Sequence, residues 1–182
     1  VTVALPVALI AGSAAVLGSA ASVYAPLAEV HLLRAEKAQL IEPMLAEYRA
    51  AESTNPYYDW YSVRIADRLM PLVSQARPQE TALALAAVDR AIVKAPLEAD
   101  NYVIKGTIYR MLAKAGADRR AARLAIEEYK KALELNPRNL NALRDIAKTY
   151  FFLGNRRLAK ASLDIYLAIE PDPQIESLRA SW

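Results

Sequence analysis

A thirteen-residue segment, Ala125–Pro137 (AIEEYKKALELNP), returns as Ala159–Pro171 (AKASLDIYLAIEP). Ala125 and Ala159, Leu133 and Leu167, and Pro137 and Pro171 are each 34 residues apart. Upstream, Val88, Ala91, Ile92 and Pro96 carry the same ending, and Tyr48, Ala51 and Pro56 carry it more faintly. A fixed period of this size marks an array of small units, none of which buries its apolar face without a neighbour. Pro56 and Pro96 are 40 apart and Pro96 and Pro137 are 41 apart, so the earlier units carry six and seven additional residues. Within each unit the apolar residues recur three or four apart, as on one face of a helix, and nowhere alternate as in a strand. Helices are expected over 57–75, 79–94, 100–115, 118–135, 140–153 and 155–169, with a short capping turn at 175–179. The chain is therefore expected to be all-α, each unit ending where a Pro cannot continue the helix before it.

The repeats follow a different kind of sequence. Val1–Ala28 contains no charged residue, whereas the 23 Lys and Arg and 20 Asp and Glu all lie beyond it. About 20 apolar residues cross a bilayer core, and backbone groups in hydrocarbon are satisfied only within a helix. Residues 1–30 are thus expected to form a transmembrane helix, and the missing basic leader argues against a cleaved signal. Small residues four apart form rows along it. Ala11, Gly12, Ala15, Gly18 and Ser22 are the candidate packing positions for neighbouring transmembrane helices, with lipid as the other partner of this segment. The helix is expected to bend at Pro26 and run on through Arg34 to Ala51, making 31–56 a linking helix and 57–182 the repeat body. Because the first residue is not Met, the chain is expected to be processed, truncated or the ordered part of something larger.

The absence of Cys removes disulfides, thiolate metal sites and a Cys nucleophile. One His, His31, leaves His-based metal sites and Ser-His-Asp chemistry without their residues. No phosphate-cradling Gly-rich loop or metal-binding motif is present, so no catalytic residue, metal or cofactor is assigned. A net charge of +3 does not imply nucleic acid without a focused patch. Glu127 and Glu128 are adjacent, point to different sides of a helix and read as solvated. His31 reads as a polar interfacial residue, and an axial tetrapyrrole ligand would need a second His for corroboration. In Asn55–Tyr61, Tyr57 and Tyr61 share a helical face that Tyr58 and Trp60 cannot both join. Tyr57 and Trp60 are the candidates for a partner-facing role.

Leu143, Ile146, Ala147, Tyr150, Gly154, Ala159, Leu163, Leu167 and Pro171 follow the pattern of large, small and turn residues of the tetratricopeptide repeat, which this unit resembles. Tyr102, Gly106, Tyr109, Ala125, Tyr129, Ala132 and Pro137 carry the resemblance into the preceding unit. That unit departs at Lys105, where the family has an apolar residue, and in a longer connection around Ala115–Asp118. The resemblance implies a solenoid of about three helix pairs and a non-enzymatic scaffold that binds protein through its concave face. Carried over residue by residue, that face holds Asn141, Arg144, Lys148, Phe151 and Phe152, joined by Asp100, Val103, Thr107 and Arg110. Such a basic and aromatic groove suits an acidic or amphipathic peptide. The family's carboxylate clamp is not implied, because Val103 and Thr107 stand where it requires Lys and Asn. Arg119, Arg120, Arg123, Arg156, Arg157 and Lys160 read as basic outer edges suited to solubility or anionic lipid.

The whole chain is also similar to the C-terminal end of O-antigen ligase or polymerase-like membrane glycosyltransferases, which would make it a non-catalytic tail. A subunit or assembly factor of a larger membrane complex is a further expectation. An extracytoplasmic repeat body is favoured over a cytoplasmic one, since the similar glycosyltransferases and signal-anchor topology both place it there.

Overall fold

A computed structural model describes residues 27–182, which fall into two compact units divided after Tyr61. The expected membrane segment 1–30, including Ala11, Gly12, Ala15, Gly18 and Ser22, lies outside the described residues except for 27–30. Among the described residues no helix is long and apolar enough to cross a membrane.

In the first unit, residues 27–37 (α1) and Ile41–Thr54 (α2) are helical. The expected continuous linking helix is instead interrupted at 38–40. Pro43 explains the break: inside an unbroken helix its ring would clash with the carbonyl four residues back, whereas in the first turn of α2 its missing N–H costs nothing. Ala28, Ala51 and Tyr61 form the core of this unit, with Leu32 against them. Buried Tyr48 donates its hydroxyl to Glu36 at 2.7 Å. His31 Nδ1 lies 2.6 Å from Glu47 Oε2, which gives this residue an acidic side chain as its partner.

The body of the chain is helical throughout: α3 (Trp60–Val73), α4 (Pro78–Lys94), α5 (Ala99–Gly116), α6 (Arg119–Leu135), α7 (Leu140–Phe152), α8 (Arg156–Ile169) and α9 (Pro173–Ser181). The repeat is written in its turns. At Asn55, Ala95, Asn136 and Glu170, each followed by Pro, the chain leaves a helix at φ between −132° and −142°. Each of these residues still donates its N–H to the carbonyl four residues back: Ala51, Ala91, Ala132 and Tyr166. The residue before a Pro is forced out of the helical region, which fixes these exits. The turns inside the pairs share another device. Ala76, Ala117 and Gly154 occupy the left-handed region at φ 57°, 53° and 82°, each one residue before a helix N-cap.

The seven residues that separate the 41-residue unit from the 34-residue one do not form the expected longer connection. Helix α5 has 18 residues against 13 in α7, and α6 has 17 against 14 in α8. Seven residues make about two helical turns, so roughly one turn enters each antiparallel partner and the apolar faces stay in phase. Residues 111–116 (MLAKAG) are mostly strong helix formers, and Leu112 and Ala113 pack against Ala121 and Ala122 in the added turns.

Packing follows the small-and-large pattern. Ala99, Val103, Ala125, Ile126, Tyr129, Ala132, Ala142 and Ile146 form one core cluster joining α5, α6 and α7. Leu143, Ala147, Leu163, Tyr166 and Ile175 form the next, which α9 closes. A Cβ added at Gly106 would lie 2.7 Å from the Tyr129 ring, so this glycine is what lets α5 and α6 approach. Val103 belongs to this core and not to the groove surface assigned by the repeat pattern. Glu128 is also buried and not solvated as expected. It accepts from Lys131 at 3.2 Å and lies 3.6 Å from Lys105, which is itself 2.8 Å from Asp89. The Lys that departs from the repeat pattern thus brought its counterions with it.

Candidate functional site

Helices α5 and α7 lie side by side and present Arg110, Arg144 and Lys148 to one carboxylate. Asp145 is buried, and its oxygens lie 3.4 Å from Arg110 Nη2, 3.2 Å from Arg144 Nε and 3.6 Å from Lys148 Nζ. Arg144 also donates to Asn141 Oδ1 at 3.0 Å, and Arg110 Nε donates to the Tyr129 hydroxyl at 3.3 Å. The Tyr129 hydroxyl is also 3.2 Å from Thr107 Oγ1. Thr107 therefore faces a buried ring and not a ligand. Asp100, at the start of α5, accepts from Asn139 at 2.8 Å while Asn139 caps α7, which ties the two repeats at their ends.

Three cations around one anion leave the site positive. Burial pushes Lys148 below its ordinary value, and the neighbouring Arg144 and Arg110 add to this while Asp145 opposes it. Burial, with the Asp145 charge, pushes the Tyr129 phenol up to about 12. An added anion would relieve the repulsion among these cations.

Space for such a group is present. Arg110, Lys114, Lys148, Phe151, Phe152 and Trp182 line much of a cavity of about 460 Å³. A second, of about 410 Å³, reaches Ser74 and shares Arg110 and Lys114. Phe152 is 40% exposed, whereas the Phe151 ring is stacked on Trp182 at 4.4 Å and lies 5.9 Å from the Arg156 guanidinium. Phe151 thus shapes the wall, and Phe152 is the apolar contact offered outward.

The expected groove residues Asn141, Arg144, Lys148, Phe151, Phe152 and Arg110 therefore come together. The repeat pattern did not point to Asp145, Lys114 or Trp182. Asp145 stands between Arg144 and Ile146, both of which the pattern did assign, and only an Arg 35 residues away shows that it is the centre of a charge cluster. In the first unit, Tyr57 is 92% exposed in a turn before α3 and shares no helical face with buried Tyr61. The Asn55-Pro56 turn, with Tyr58 N–H donating to the Asn55 carbonyl at 3.4 Å, delays the helix to Trp60. Trp60 is partly exposed and packs edge-on to Tyr61 at 6.0 Å. Among the described residues, no group of three or more His, Asp and Glu is placed to hold a metal.

The architecture defines a helical-hairpin repeat solenoid. Residues 112–181 match the family model of the tetratricopeptide repeat. Comparison with curated proteins gives no match. Among solved structures, the fold is similar to TTC0263, a thermophilic TPR protein of Thermus thermophilus, at 24% identity and a TM-score of 0.61, covering 78% of this chain and 72% of that one. It is similar to MamA at 14% identity and a TM-score of 0.61, covering 90% and 86%. It is also similar to YrrB, described as a TPR protein with an unusual peptide-binding site, at 19% identity and a TM-score of 0.61, covering 91% and 76%. The fold is thus that of the tetratricopeptide repeat, a fold associated with protein–protein interaction.

Proposed function

We propose that this chain is a membrane-anchored, non-catalytic scaffold whose α5–α7 groove receives an acidic segment of a protein partner. The observation that carries this reading is the surplus of cations: Arg110, Arg144 and Lys148 share one carboxylate beside an outward-facing Phe152. A partner segment bearing a carboxylate next to an apolar side chain would meet both features, and it would bury area around a charged centre already held in place. The peptide-binding site described for YrrB supports a peptide as the kind of ligand. The uncharged run Val1–Ala28 supports the anchor, with the repeat body on the extracytoplasmic side as part of the proposal. A subunit or assembly factor of a membrane complex is the role in which such a scaffold would act.

One experiment tests groove, anchor and side together. A membrane-impermeant crosslinker is applied to intact spheroplasts, and the chain is then captured in detergent. Wild type is expected to retain a partner that the Arg144→Ala/Lys148→Ala/Phe152→Ala variant loses at unchanged helix content. Retention by the variant removes the groove, and capture only after lysis moves the body to the cytoplasmic face. Release of the chain by salt alone removes the anchor. The glycosyltransferase-tail reading rests on the apolar run leading directly into the repeats. It requires the captured chain to be several-fold larger than the 182-residue sequence.

A further inference from the structure

A second cationic feature lies outside the groove. After its N-cap Asp118, α6 begins Arg119-Arg120-Ala121-Ala122-Arg123, and after its N-cap Asn155, α8 begins Arg156-Arg157-Leu158-Ala159-Lys160. The two triplets hold the same positions relative to their N-caps, 37 residues apart, which is three residues off the 34-residue register of the repeats. The side chain of Arg119 donates to the Leu153 carbonyl at 3.1 Å, which places the start of α6 beside the turn that leads into α8. Five of the six side chains are exposed and Lys160 is half-buried. Among the described residues, none of the six has an acidic side chain within ion-pair distance. Neither helix has an acidic residue in its first turn. A cation in the first turn of a helix is opposed by the macrodipole, so beyond the Arg119–Leu153 hydrogen bond and the Arg156–Phe151 contact the fold draws no ion pair from this repeated arrangement.

We infer that the Arg119–Arg123 and Arg156–Lys160 edge docks on an anionic phospholipid surface. Charge complementarity makes the occupant an anion, and three features favour a bilayer. Five of the six cations are exposed, at the starts of two helices that the Arg119–Leu153 hydrogen bond brings near one another. The residues interleaved with the six cations, Ala121, Ala122, Leu158 and Ala159, carry no ring for base stacking, the usual support for single-stranded nucleic acid, and Phe151 beside Arg156 is stacked on Trp182. The same chain carries the uncharged run Val1–Ala28, which would hold the body within reach of a bilayer. The inference shares that anchor with the proposed function but is independent of the groove.

The test is sedimentation of the full chain with vesicles of phosphatidylcholine alone or mixed with phosphatidylglycerol, at low and high salt. Partition onto the mixed vesicles is expected to exceed that onto phosphatidylcholine by about tenfold or more at low salt, and the excess is expected to vanish at high salt. The apolar run acts equally on both vesicles, so failure of the anchor lowers both and leaves the ratio in place. Replacing all six cations with Gln, at unchanged circular dichroism, is expected to remove the excess. The two triple variants, Arg119→Gln/Arg120→Gln/Arg123→Gln and Arg156→Gln/Arg157→Gln/Lys160→Gln, are each expected to remove about half of its salt dependence, which serves if the sextuple variant does not fold. Equal partition onto both vesicles, or an excess that survives the substitutions, overturns the inference. Binding of oligo-dT or polyglutamate that depends on these six cations and occurs at lower concentration than vesicles also overturns it, and gives the edge to nucleic acid or to an acidic protein.

Discussion

Where α5 crosses α6, Gly106 lies under the fully buried ring of Tyr129, whereas the corresponding positions of α7 and α8 are Ala147 and Leu163. A larger side chain on the second helix goes with a smaller one on the first, so the two hairpins keep close approach with different volumes. The left-handed residue in the turn differs as well. It is Gly154 in the C-terminal hairpin, where the conformation is free, and Ala117 in the preceding one, where an L side chain is strained. The longer hairpin therefore carries two local costs, a glycine within a helix and an alanine at positive φ. It sets against them a buried tyrosine whose hydroxyl is shared with Thr107 and Arg110. The comparison shows that the repeat keeps the distance between helices and leaves the residues that achieve it free to vary in pairs.

The largest expected effect comes from exchanging one hairpin's solution for the other's. Gly106→Ala is expected to cost about 3 kcal/mol, the upper part of the range for overpacking, because the Tyr129 ring is held by its hydroxyl and cannot swing away. Tyr129→Leu alone is expected to cost about 2 kcal/mol. The double variant should cost less than the sum, with a coupling of about 0.5–3 kcal/mol in denaturant melts. Strict additivity would break the pairing argument. Next comes the tie between the hairpins: Asp145→Ala is expected to cost about 1–3 kcal/mol, less than a fully buried pair because all three cations reach water. Amide exchange should then rise in α7 and α8 before α5 and α6, and uniform exchange would show that Asp145 does not hold them together. The smallest effect is at the turns. Ala117→Gly is expected to stabilise by up to about 1 kcal/mol and Gly154→Ala to destabilise by a similar amount, since only glycine takes this region without strain. Two changes of the same sign in thermal melts would contradict the strain assigned to Ala117.

Much of the repeat body was legible in the sequence, because its signals are local. The Pro exits after residues 55, 95, 136 and 170 act within a few residues of themselves, and the spacing of the repeat marks the Ala and Gly at the helix crossings. The expected helices 79–94, 118–135 and 155–169 accordingly match α4, α6 and α8 to within a residue at each end. The start of α3 was misplaced because Pro56 makes a turn that holds Tyr57 and Tyr58 outside the helix. The break before α2 was missed because Pro43 suits either a kink or a first turn, and only the observed fold selects one.

Of the groove, the cations were visible and their organiser was not. A helical register places Arg144 and Lys148 on one face, but it cannot show that Arg110, a repeat earlier, reaches the same carboxylate. Glu128 looked solvated for a related reason, since Lys105 and Lys131 approach it from two different helices. Sequence alone determined that the body is a stack of helical hairpins with Pro and small residues as punctuation, because those preferences are settled over one or two turns of chain. The tertiary structure decided where the seven extra residues went, which carboxylates were buried and which cations were left without a counterion, because each of these depends on what a neighbouring helix brings from tens of residues away.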